Sequence, residues 1–254
     1  MKFSKPLDTG PCWAELTTSD IPAAASFYAA LFGWRSETDP RPEAGGYTMA
    51  HIGDAAVAAL APALQPGQPT AWTVSFSTRD ADATVEKVMS AGGSLLAGPT
   101  DVFDLGRFAL VADPAGAVFS LWQPRGFAGA ELLNDPGALG WVELSTRDTA
   151  NALAFYPAVL GWTVRSPESY PHWGVDGADF GGMTAMDEAV PAEAPPHWLP
   201  YFVVTDVDAT ADTALSAGGD QLLPPTSIPD GPRIAVLRDP QGAVFGIHRS
   251  YDEG

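Results

Sequence analysis

Hydrophobic residues along this chain follow two alternating patterns. Short stretches such as Ala14-Glu15-Leu16-Thr17 switch between apolar and polar at every step, the mark of a half-buried strand. Between them lie segments with helical spacing. Each opens on an aspartate able to cap a helix N-terminus: Asp20, Asp80, Asp148 and Asp206. The first helix is closed by Gly33 and the second by Gly92. Further strand-like segments follow each helix, YTMAHI then AAVAALA, and FALVA then AVFSLWQ. The predicted plan is βαβββ, four times over. A curved mixed sheet with helices on its convex side buries such units, which makes the expected class α+β.

The pattern is duplicated. WAELTTSD at 13–20 returns as WVELSTRD at 141–148, 128 positions later. SFYAALFGW at 26–34 returns as AFYPAVLGW at 154–162 in the same register. DADATVEKVMSAGG at 80–93 and DPAGAVF at 113–119 return at an offset of 126, as DVDATADTALSAGG and DPQGAVF. Two tandem domains are therefore expected, 1–126 and 137–254, joined by a Gly- and Pro-containing linker at 127–136.

Four landmarks recur in order in both halves: the turn aspartate (Asp20, Asp148), Phe27-Tyr28 or Phe155-Tyr156, Gly33 or Gly161, and Asp-Pro-x-Gly at 113–116 or 239–242. On these residues the chain resembles the vicinal oxygen chelate superfamily, which contains glyoxalase I, bleomycin- and fosfomycin-resistance proteins and extradiol dioxygenases. It is most similar to the tandem-domain, glyoxalase-like branch. The resemblance implies cup-shaped sheets. In metal-using members it also implies a ligand, usually His, seven residues before the turn aspartate, and a Glu seven residues after the aspartate of Asp-Pro-x-Gly. Here those positions hold Trp13, Thr73, Trp141 and Leu199, then Ser120 and Gly246. An indole N–H only donates, and glycine offers no donor atom to a metal. No metal and no cofactor are expected.

Strand alternation assigns the cup faces. It puts Trp13, Glu15 and Thr17 inward, with Trp141, Glu143 and Ser145 as their counterparts, and adds Ser120, Trp122, Tyr201, Gly246 and His248. The candidate ligand-binding set is Trp13, Glu15, Ser120, Trp122, Trp141, Glu143, Tyr201 and His248. Glu143 and His248 are the candidate acid–base groups. Two readings stand for the tryptophans: walls for a flat ligand, or indoles that pack a small cup shut. Two also stand for the glutamates, since an inward carboxylate needs a partner. Each either anchors a ligand or joins an internal ion pair with Arg107 or Arg233. The second cup is richer in polar candidates and is the expected site. Trp34 and Trp162 read as core, and His51 and His172 fall in turn-rich stretches.

Composition narrows the function. A net charge of −18 over 254 residues repels nucleic acid and anionic membranes, so neither is an expected partner. Cys12 is the only cysteine, which excludes an intrachain disulfide and a cysteine-based zinc site. No signal-peptide pattern opens the chain, and a cytoplasmic setting is expected. The expected function is metal-independent binding, as in sequestration or resistance, of a planar or aromatic small molecule. The alternative is an enzyme: glyoxalase- or hydroxylase-like, or a metal-free lyase, isomerase or cyclase acting on a small carbonyl or quinone. The two domains are expected to pack together, and a homodimer is compatible with the same duplication.

Overall fold

The computed structural model describes residues 6–63, 65, 67–165, 170–188 and 190–249. The first half runs β1 (Pro11–Thr18), α1 (Ile21–Phe32), β2 (Arg35–Thr38), β3 (Thr48–Ile52), β4 (Ala55–Pro62), β5 (Ala71–Ser77), α2 (Ala81–Ser90), β6 (Ser94–Val102), β7 (Gly106–Ala112) and β8 (Val118–Pro124). The second half repeats it as β9 (Leu139–Thr146), α3 (Thr149–Leu160), β10 (Thr163–Arg165), β11 (His172–Val175), β12 (Ala178–Ala185), β13 (His197–Val204), α4 (Val207–Ser216), β14 (Asp220–Ser227), β15 (Arg233–Arg238) and β16 (Val244–Arg249).

All four predicted caps form. Asp20, Asp80, Asp148 and Asp206 each accept a hydrogen bond, at 3.0 Å, from the backbone N–H three residues on. Helix α1 ends on Gly33 and α3 on Gly161, at φ 71° and 75°, where a side chain would be strained. Helix α2 stops at Ser90, and Gly92 makes the left-handed turn just beyond its Ala91 cap.

Each half forms one curved sheet of eight strands, in the order β2-β3-β4-β1-β5-β8-β7-β6 and its counterpart β10-β11-β12-β9-β13-β16-β15-β14. Within each sheet two βαβββ units meet at a central antiparallel pair, β1–β5 or β9–β13. Each unit closes on a parallel pair, β1–β4 or β5–β8 in the first half.

The helix-side faces of the two sheets share one aromatic core. Phe76 of β5 packs on Trp162 and Trp198 of the second half, at centroid distances of 4.8 and 5.1 Å. Phe32 of α1 packs on Phe202 at 5.1 Å. Two buried relays cross between the halves. Trp72 Nε1 donates to the Tyr28 hydroxyl, which donates to Asp239 Oδ2, each at 3.0 Å. Trp198 Nε1, Tyr156 and Asp113 Oδ2 repeat this at the same distances. The other carboxylate oxygen of Asp239 holds its own turn by accepting from the N–H groups of Gln241 and Ala243. Trp34 and Trp162 lie in this core, their indoles donating to the carbonyls of Gly137 and Thr9.

The segment between the sheets is pinned to the first. Ala130 N donates to Cys12 O at 2.7 Å, and Glu131 Oε2 accepts from Ala56 N at 2.8 Å. Cys12 is fully buried, and burial pushes its thiol up, which keeps it inert. Among the described residues no helix is long and apolar enough to cross a membrane.

Candidate functional site

Alternation along β1 and β9 sends Ala14, Leu16, Val142 and Leu144 into the shared core, where all four are fully buried. Their neighbours Trp13, Glu15, Trp141 and Glu143 face the two concave surfaces. In the second cup they form one hydrogen-bonded cluster. Trp141 Nε1 donates to the Tyr170 hydroxyl at 3.1 Å, and that hydroxyl donates to Glu143 Oε2 at 2.7 Å. The Tyr201 hydroxyl reaches Glu143 Oε1 at 3.3 Å. The first cup echoes this: Trp13 Nε1 donates to the Tyr47 hydroxyl at 3.1 Å, and that hydroxyl is hydrogen-bonded to Glu15.

Both glutamates are held by tyrosines. Arg107 and Arg233, the ion-pair partners considered from the sequence, turn away toward the helices. Arg107 pairs with Asp82 and Asp101, both at 2.8 Å, and Arg233 with Asp208 at 2.6 Å. Burial without a cation pushes the Glu143 carboxyl above its ordinary 4.5, and the two tyrosine hydroxyls oppose part of that rise. Glu15 shifts the same way for the same reason. Tyr170 and Tyr201 are raised by burial and by the neighbouring carboxylate, so they stay protonated donors. A carboxyl group displaced upward and fed by two hydroxyls can anchor a ligand oxygen or exchange a proton with it.

The remaining cup residues fall into place around these clusters. In the first cup Phe127 fills the space between Trp13 and Trp122, at centroid distances of 5.0 and 6.2 Å. Trp13 is only 5% exposed, and Trp122 Nε1 donates to Phe127 O at 2.8 Å. Ser120 is buried, its hydroxyl 2.5 Å from that of Ser75. The indoles of this cup thus act as packing. In the second cup Trp141 and Glu143 keep partial exposure. His248 stands beside Tyr201, with ring centroids 6.5 Å apart. Its Nε2 is buried against Gly140 without a hydrogen-bond partner among the described residues. Burial pushes its pKa down to about 4, so the ring is neutral. A recess at the domain boundary is lined by Leu7, Pro11, Leu133, Leu139, Trp141 and Phe180.

The residues at the positions where the resemblance implies metal ligands are a poor donor set. Trp13 and Trp141 occupy two of them with indoles whose N–H groups donate to tyrosines. At Gly246 an added Cβ would run into the Tyr201 ring, which fills the place of the expected carboxylate. Ser120 is tied to Ser75, and Thr73 and Leu199 complete the set. Among the described residues no three His, Cys, Asp or Glu side chains gather as a metal-binding group.

Tyr47 and Tyr170, the partners of the glutamates, escaped the reading of the sequence. The two stand at matched places in the fold, each eight residues before the alanine that opens β4 or β12, Ala55 or Ala178. His172 was also passed over. It opens β11 in contact with Trp141 and Tyr170, at centroid distances of 5.5 and 5.4 Å.

Comparison with known proteins matches both halves to one group. A family model described as the glyoxalase/bleomycin resistance protein/dioxygenase superfamily matches residues 11–121, and one described as a glyoxalase-like domain matches residues 141–248. The chain is 42% identical over 246 residues to the "Putative glyoxylase CFP32" of Mycobacterium tuberculosis, covering 93% of each chain. It is 39% identical over 255 residues to the anthracycline biosynthesis protein DnrV of Streptomyces peucetius, covering 93% of this chain and 92% of the other. In fold it is similar to the 2,3-dioxygenase LapB from Pseudomonas sp. KL28, with a TM-score of 0.67 at 13% identity, covering 95% of this chain and 92% of that one. The Mn(II)-bound glyoxalase from Novosphingobium aromaticivorans gives the same TM-score at 17% identity, covering 96% and 83%.

Proposed function

The chain belongs to the glyoxalase/bleomycin resistance protein/dioxygenase superfamily, and from that premise we propose that it binds a planar aromatic small molecule in its second cup without a divalent metal. The observation that carries this reading is the cluster of Trp141, Tyr170, Glu143 and Tyr201, in which Trp141 occupies a position where the resemblance implies a metal ligand. An indole with partial exposure offers a face for stacking, and a carboxyl group fed by hydroxyls offers an anchor for a ligand oxygen. DnrV, a relative of nearly equal length, is named for anthracycline biosynthesis, and anthracyclines carry a planar quinone ring system. That kinship supports a ligand of the same shape. Cytoplasmic sequestration of such a compound is the biological form of the proposal.

A second reading is favoured by one specific observation, the upward displacement of the Glu143 carboxyl. A buried carboxyl group displaced upward suits a role as proton donor or acceptor, and the protein would then be an acid–base enzyme on a carbonyl or quinone. Titration of tryptophan fluorescence with hydroxylated anthraquinones tests the binding reading. Quenching that survives EDTA is expected, and Trp141→Ala should weaken it at least several-fold, since such a stacked pair is worth about 0.5–1.5 kcal/mol beyond the area it buries. Chromatography of the recovered compound separates a binder, which returns it unchanged, from an enzyme. One equivalent of metal per domain after dialysis, with binding lost to EDTA, would overturn the proposal.

A further inference from the structure

The two cups differ in chemistry along one row of residues. In the first sheet the row of cup-facing positions through Glu15 runs Met49, Ala59, Glu15, Thr73. The matching row of the second sheet runs His172, Gly182, Glu143, Leu199. On the outer strand Glu37 stands opposite Met49, whereas Arg165 stands opposite His172. On the inner strand Ala56 faces His51, whereas at the matching register Asp179 faces Gly174. The second cup thus holds Arg165, His172 and Asp179 where the first holds Glu37, Met49 and Ala56.

These three side chains form a unit. His172 Nδ1 lies 3.0 Å from Asp179 Oδ2 and 2.9 Å from Arg165 Nη2, and Arg165 Nε donates to the same Asp179 oxygen at 3.0 Å. Nδ1 is therefore occupied, which leaves Nε2 as the nitrogen available to a ligand. The His172 side chain is 23% exposed, with its ring against Trp141 and Tyr170. Gly182 separates it from Glu143 along the row. Because Gly182 lacks a side chain, the Tyr170 ring lies over it, and the hydroxyl of that ring reaches Glu143. Two strand spacings put His172 about 10 Å from Glu143, with the Tyr170 ring between them, so a ligand reaching both lies over that ring.

We propose that His172, oriented by Asp179, is the second polar anchor of this cup, and that it selects planar aromatic ligands bearing an acidic ring hydroxyl. This rests on the reading that the second cup binds a planar aromatic molecule. Imidazole suits such a hydroxyl in either charge state: a neutral ring pairs with a phenol, and a protonated ring donates to a phenolate. Arg165 balances the charge of Asp179 beside it. Met49 offers the first cup neither.

Fluorescence titration with 1,8-dihydroxyanthraquinone and with unsubstituted anthraquinone tests the assignment. The wild type should prefer the hydroxylated compound. His172→Met installs the first-cup residue and should lower affinity for that compound roughly tenfold, about the worth of one hydrogen bond, and should cost anthraquinone clearly less, so that the preference is lost. Asp179→Asn keeps Nε2 but loosens the ring, and should give a smaller loss. Trp141→Ala should weaken both compounds alike. If the wild type binds both equally, or if folded His172→Met keeps the preference, the anchor assignment falls and the cup reading stands. If neither compound binds the wild type, the cup reading falls and takes the anchor with it.

Discussion

Tyr28→Phe removes one oxygen and leaves the ring in place. That ring is fully buried and packs against Trp34, Trp72 and Phe245 at centroid distances of 5.3 to 5.5 Å, contacts that phenylalanine preserves. The hydroxyl alone joins Trp72 of the first half to Asp239 of the second. Without it Trp72 Nε1 loses its acceptor and Asp239 Oδ2 loses a donor, both inside the core. Each buried group left unpaired costs about 1–3 kcal/mol, so the change should destabilise the protein by about 4 kcal/mol. In a chain of this size each kcal/mol moves Tm by about 2–4 °C, which gives a fall on the order of 10 °C. Scanning calorimetry should show a single transition, because the two halves share one core, and the whole transition should move. Tyr156→Phe, at the twin relay to Asp113, should do the same. A shift below about 2 °C, or two resolved transitions of which only one moves, would refute the reasoning.

Two further outcomes follow from the second cup. Because burial raises the Glu143 carboxyl above its ordinary 4.5, the folded state holds that proton more tightly than the unfolded chain does, and stability is lost as pH rises through the raised value. Glu143→Gln should therefore match the wild type in acid and exceed it in Tm above that window; a variant less stable than the wild type at pH 8 would show that the charged form is favoured. Gly246→Ala brings a Cβ to 2.5 Å from Tyr201 Cγ and should cost about 1–3 kcal/mol in chemical denaturation. Adding Tyr201→Leu should recover part of that loss, and strict additivity of the two changes would count against the contact.

Much of this architecture is legible in the chain because it is periodic. The four aspartate caps, the strand alternation and the offset repeats all act between near neighbours, and Trp141 and Glu143 reach one face by that rule alone. Tyr170 reaches them from outside a strand, in the stretch where the spacing between the two copies drifts, and local periodicity says nothing about it. His172 reads as a turn residue in the sequence, since its partners, Arg165 and Asp179, lie on two other strands. The Phe-Tyr and Asp-Pro-x-Gly landmarks were visible as signatures of a fold. That the tyrosine of one bonds to the aspartate of the other across the two halves, between residues 211 positions apart, was not. Of the two readings left open for the glutamates, the ion pair with an arginine does not form: Arg107 and Arg233 pair with Asp82 and Asp208 in the first turns of α2 and α4, a better hydrated source of pairing than a carboxylate in the cup.

During synthesis the strands of the first sheet have all been made once Pro124 leaves the ribosome, yet that sheet has nothing to close against. Phe76 still waits for Trp162 and Trp198, Phe119 for Tyr156, and Tyr28 for Asp239. At roughly 5–20 residues per second, the remaining chain through Arg249 takes about 6–25 s to appear. For that interval the nascent half presents an aromatic face to the cell, and its pairing partners are equally available from a neighbouring copy. Contacts of such long sequence separation also slow the final collapse. The shared core thus predicts that accumulation of this protein responds to the crowding of its own nascent chains and to the chaperones that shield them, as well as to the stability of the finished fold.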